Sequence, residues 1–234
     1  HRSQQRATGQ ENISVGGSAA RGASSGCTGN YNTAMGGEAL YGFTSGSYNS
    51  AFGRYALKSN TTGAQNTAVG NFALQDNTTA SLNTGVGYHA LESNTSGAYN
   101  TALGAYALDL NTTGQNNVAI GYQALDANTT GNHSVAIGKG ALTDATTASN
   151  NNAIGINAGL TVTTGSENVA LGSNTLRGTE VTGNYNVAIG NSALGSITSA
   201  SENVAVGYNA GAQTSTTGSN VYVGYQAGAA NTTG

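Results

Sequence analysis

Few residues in this sequence are equipped for chemistry, and their spacing decides what they could do together. The histidines are His1, His89 and His133. His89 and His133 fall in different parts of different repeats. Neither is expected to have a Cys or a carboxylate at a ligand spacing, so both read as solvated surface residues. Asp109 and Asp126 are seventeen residues apart, with Asp144 eighteen further on. Such a spacing stacks carboxylates on neighbouring coils, an arrangement that can hold Ca²⁺. The Gly-Gly-x-Gly-x-Asp signature of calcium solenoids is missing, however, so a plain polar edge is expected. No glycine-rich stretch closes with Gly-Lys-Ser/Thr, which removes the phosphate-loop reading. The single Cys27 excludes an internal disulfide framework; it could cross-link copies of the chain in an oxidising setting, but a buried or idle thiol is the expectation. The expectation is no catalytic set, no metal, no cofactor and no enzymatic activity.

Two recurring side chains suit recognition better than catalysis. Tyr88, Tyr122, Tyr208 and Tyr225 each directly follow a repeated glycine. Aromatic rings at a fixed interval can stack on a sugar or a partner surface, or equally on one another. Asn60, Asn77, Asn94, Asn111 and Asn128 are seventeen apart, and each opens an Asn-x-Ser/Thr sequon. On exposed loops they would be glycan acceptors in a secreted protein, or simply good turn residues.

What positions all of these is a repeat. The glycine closing the phrase Asn-x-Ala-apolar-Gly recurs thirteen times between Gly16 and Gly224, and ten of the twelve intervals are seventeen residues. Asn66, Val69 and Gly70 form one copy; Asn117, Ile120 and Gly121 another; Asn186, Ile189 and Gly190 a third. Seventeen residues are too few for a helical repeat, which runs above about thirty. The unit predicts one coil of an all-β, parallel β-solenoid. It has a strand through Asn-Thr/Val-Ala-Val/Ile, a tight turn at Gly, a second strand through Ala-Leu and a return loop such as Asn-Thr-Thr-Gly. The repeated Asn should form a column hydrogen-bonded along the axis. Thirteen coils would make a rod about 60 Å long.

Strand residues alternate between faces. Val118 and Ile120 share one face and Ala119 takes the other. Large residues are expected to fill the coil, leaving the Ala column outside. An apolar outer face suggests burial against another copy of the chain.

Composition agrees with a solenoid. The chain has 36 Gly and no Pro, and every coil must donate backbone hydrogen bonds to its neighbours. Only 7% of residues are charged and the net charge is −3, so there is no electrostatic case for nucleic acid or an acidic membrane surface. No apolar run reaches the roughly 18 residues of a membrane span. Residues 1–11 read as a polar N-terminal arm or linker and residues 12–234 as the repeat domain. With His1 rather than Met at its head, the chain is expected to be a processed or trimmed piece.

The phrases Asn-Val-Ala-Ile-Gly at 117–121 and 186–190, and Ser-Val-Ala-Ile-Gly at 134–138, resemble the head repeat of YadA-type trimeric autotransporter adhesins. Similar motifs occur in bacteriophage tail fibres. The resemblance spans residues 12–228, with a coil about three residues longer here. It implies a left-handed parallel β-roll assembled as a trimer at a cell surface or on a virion. The expected role is that of a structural fibre or adhesin head that attaches to a host protein or glycan. A tail-fibre segment and the subunit of a self-assembling extracellular filament are the alternatives.

Overall fold

A computed structural model describes residues 9–22 and 27–232. Most of the expected N-terminal arm, with His1, lies outside the described residues. Residues 9–11 already belong to the repeat: Gly9 N–H donates to Cys27 O at 3.1 Å and Tyr31 N–H to Gln10 O at 3.2 Å.

The chain divides into two compact units, His1–Asn116 and Asn117–Gly234. The first holds β1 (Ile13–Val15), β2 (Thr33–Met35), β3 (Ser50–Phe52), β4 (Thr67–Val69), β5 (Thr84–Val86) and β6 (Thr101–Leu103). The second holds β7 (Val118–Ile120), β8 (Val135–Ile137), β9 (Asn152–Ile154), β10 (Val169–Leu171), β11 (Val187–Ile189), β12 (Val204–Val206) and β13 (Val221–Val223). In each unit the strands are parallel, follow chain order and pair in register, so that Ala51, Ala68 and Gly85 align, as do Phe52, Val69 and Val86. The fold is an all-β parallel β-solenoid with one short strand per coil.

The expected second strand through Ala-Leu is absent from the described coils. Ala73 and Leu74 are adjacent and both wholly buried, which the two-residue alternation of a strand forbids. The chain accommodates them by turning. Phe72 and Leu74 sit at φ 65° and 51°, and local bonds from Ala73 N–H to Gly70 O and from Gln75 N–H to Phe72 O alternate with bonds to other coils. Each left-handed non-glycine residue costs about 1 kcal/mol or more. Inter-coil bonds offset that cost, because the unusual φ redirects the N–H. Phe72 donates back to Arg54 O at 2.9 Å, and Leu74 donates forward to Ala90 O at 3.0 Å. Burying Leu74 adds about 1.5–3 kcal/mol.

The inside and outside of the strand are the reverse of the sequence expectation. Ala68 is 0% exposed, whereas Val69 is 39% exposed. Ala34, Ala51, Ala102, Ala119, Ala136 and Ala188 are likewise buried. Val118 and Ile120 are half-buried on the outer face. The reason is parity. Asn66 and Ala68 are two residues apart and share a face, and Asn66 is wholly buried. Its Oδ1 accepts from Asn83 N–H at 2.9 Å, and its Nδ2 donates to Ala80 O at 2.9 Å and Asn49 Oδ1 at 3.2 Å. A side chain joining its own return loop and both neighbouring coils must point inward, and Ala follows it. With Leu74 already inside, only a methyl fits beside the Asn.

The motif glycine closes the strand where no other residue would serve. Gly70 has φ 138°, and a Cβ placed there would lie 2.3 Å from Gly87 O in the coil that follows. The last strand departs from the pattern. Tyr222 takes the Ala position opposite Ala205 and is 9% exposed. Glycines replace the usual Leu on either side, and a Cβ on Gly211 or Gly228 would come within 2.7 or 2.2 Å of the ring. The Tyr222 hydroxyl accepts from Thr214 Oγ1 at 3.2 Å and Asn231 Nδ2 at 2.9 Å.

Candidate functional site

The loop asparagines expected on the surface are inside. Asn60, Asn77, Asn94, Asn111 and Asn128 are buried. Asn77 Nδ2 donates to Asn60 Oδ1 at 2.8 Å and to Ala80 O at 2.9 Å, and Asn94 repeats the pattern with Asn77 Oδ1 and Gly97 O. The nitrogen a glycan would use is therefore engaged within the coil. Phe43 holds the corresponding place one coil before Asn60, and Ala145 and Val162 hold it after Asn128, so the run of five Asn has apolar residues on either side. The first Thr of the loop completes the return, as Thr61 Oγ1 donates to Thr78 O at 2.9 Å. Cys27 is buried as well, and its thiol donates to Phe43 O at 3.1 Å, in line with the reading of a buried thiol rather than a cross-linking one.

The outer surface carries two features. One is the apolar strand face. In the first unit Val15, Met35, Phe52, Val69 and Leu103 are exposed along it; in the second, Ile154, Ile189 and Val223. The other is a set of rings. Tyr88, Tyr122, Tyr208 and Tyr225 are all exposed, and Tyr208 and Tyr225 stack at 5.5 Å. Tyr31 and Tyr48 stack at 5.0 Å.

The densest chemistry lies on the turn after β5. Gly87 reverses the chain, and His89 follows at φ 57°, its N–H donating back to Asn71 O at 3.2 Å. Leu91 is buried and anchors the turn through its N–H to Ala107 O at 3.0 Å. Glu92 comes three residues after His89, and its carboxylate pairs with His89 Nδ1. Asp109 sits seventeen residues beyond Glu92, at the same place in the following coil, tied there by Ser93 N–H to Asp109 O at 3.0 Å. One ligand atom from each of His89, Glu92 and Asp109 lies within 4.8 Å of the other two. The imidazole is held between Phe72, at 4.8 Å, and Tyr106, at 5.3 Å, with Tyr88 edge-on at 4.0 Å. The sequence reading that left His89 without a carboxylate partner is corrected. The overlooked signal was arithmetic: Asp109 minus one period is Glu92.

In the second unit Asp126 and Asp144 lie near each other. Burial raises the Asp126 carboxyl above its ordinary value, opposed by a hydrogen bond from Gln123 and reinforced by the Asp144 charge. Burial raises Asp144 as well. A shallow groove in the same unit is lined by Leu160, Asn174, Arg177, Ser192 and neighbours; Arg177 Nη1 is spent on Asn174 Oδ1 at 3.1 Å. Among the described residues no helix is long and apolar enough to cross a membrane. No family model, curated protein or solved structure matches the chain.

Proposed function

We propose that the chain is a non-enzymatic structural module, a fibre or adhesin-head segment that works outside the cell by packing against copies of itself. The observation that carries this reading is the apolar strand face. Its side chains are large and uncharged in both units, exposed at Val15, Met35, Phe52, Val69, Leu103, Ile154, Ile189 and Val223 and half-buried in the strands between, in a chain with only 7% charged residues. Contiguous apolar surface of that kind marks an association site. A parallel homotrimer, a left-handed β-roll as in the adhesin heads, would cover the face in every coil at once. The exposed tyrosines then supply outward contacts to a host protein or glycan at a cell surface or on a virion.

The test is mass in solution. Sedimentation of the full chain should give a particle of three times the 23.1 kDa chain mass. Val69→Lys combined with Ile154→Lys should release monomers that keep the circular dichroism of the parent. A parent that sediments as a monomer at micromolar concentration overturns the reading. Growth into particles of unlimited length would replace the closed trimer with a filament or tail-fibre arrangement.

A further inference from the structure

We propose that His89, Glu92 and Asp109 form a binding site for a divalent transition-metal ion of the Zn²⁺ class. The donor set decides the class: one imidazole and two carboxylates suit Zn²⁺, whereas Ca²⁺ takes oxygen donors almost alone. Geometry supports it. The three donor atoms lie within 4.8 Å of one another, and the pairing of His89 Nδ1 with Glu92 already brings two of them into contact. An ion of this class takes its donors at about 2.0–2.2 Å, so the paired His89 and Glu92 atoms would part to admit it and Asp109 would close on it.

The site is rigid where a metal site needs rigidity. The imidazole is fixed between the Phe72 and Tyr106 rings, and inter-coil backbone bonds hold the turn that carries it. The His89 and Glu92 side chains keep 20% and 21% of their surface open, which leaves a path for the ion and room for a water as fourth ligand. Two ligands come from one coil and the third from the next, so the ion ties consecutive coils together. Its role is structural, and it stands whether or not the chain self-associates.

Isothermal titration of the EDTA-treated full chain with Zn²⁺ tests this directly. One ion should bind per chain. His89→Gln, Glu92→Gln and Asp109→Asn should each weaken binding about tenfold or more, while His133→Ala leaves it unchanged. Circular dichroism without metal establishes that each variant keeps its fold. Zn²⁺ should also raise the unfolding temperature of the parent and not that of Glu92→Gln. Absence of Zn²⁺ binding to the parent, binding of Ca²⁺ in preference to Zn²⁺, or Zn²⁺ affinity that survives both His89→Gln and Glu92→Gln would each overturn the proposal.

Discussion

Ser134 is the natural substitution in the buried Asn column, and it shows what each column residue does. Its N–H still donates to Asn117 Oδ1 at 2.9 Å, and its hydroxyl oxygen accepts from Asn151 N–H at 3.2 Å. An Asn does those things and also reaches across the coil to the return loop, as Asn66 reaches Ala80 O. Ser134→Asn should therefore add a buried bond to Ala148 O and raise stability to urea by about 0.5–1.5 kcal/mol. Asp126 supplies a second prediction. Burial and Asp144 both favour its neutral form, so its folded-state pKa exceeds that of the unfolded chain. Protonation then favours the fold, and the advantage fades as pH rises through the raised value. Asp126→Asn should stabilise at pH 7 by under about 1 kcal/mol, since both carboxylates remain partly exposed to solvent screening. The gain over the parent should vanish below the ordinary aspartate range. A gain that persisted at low pH would mean that packing rather than charge was its source.

At the scale of one coil, two glycines fifteen residues apart are expected to respond with opposite sign. Gly70→Ala must place a methyl against the Gly87 carbonyl at a φ that L residues avoid, and should cost about 3 kcal/mol or more. Gly85 occupies the inward strand position that is Ala in both flanking coils, with a Cβ there meeting Leu74 Cγ at 3.3 Å and Ala90 O at 3.1 Å. Gly85→Ala should stabilise by about 0.4–1 kcal/mol. Urea midpoints of the two variants check both. The coil was legible in sequence as far as its period, its closing glycine and its first strand. Its second half was not, because Ala-Leu looks like strand until both side chains must be inside, and left-handed Leu has no signature of its own. The inversion of the strand face was readable in principle. An Asn column bonded along the axis and an Ala two residues later share a face, so a fully bonded Asn would have placed the Ala inside.

For the molecule as a whole, coils support mainly their neighbours, so stability accumulates along each unit and terminal coils are the weakest. Tyr222 fills the interior of the last coil described, and Tyr222→Ala should remove about 3–5 kcal/mol from that end. Amide exchange across residues 204–232 should accelerate before that of β7. The seventeen-residue repeat pointed to a solenoid, and the absence of Pro agreed with it. The His89 site shows in the sequence only as the one-period offset of Glu92 and Asp109; the left-handed turn and the stacking that bring His89 to them leave no short motif.

A chain that says nearly the same thing every seventeen residues also gives its strands near-equivalent wrong partners, displaced by one repeat. Hydrogen bonding and the outer side chains barely distinguish these from the right ones. Tyr222 does. Seated one position early, its ring would meet Leu194 where it now has Gly211, so the bulkiest exception in the Ala column also tells the folding polypeptide where the count ends.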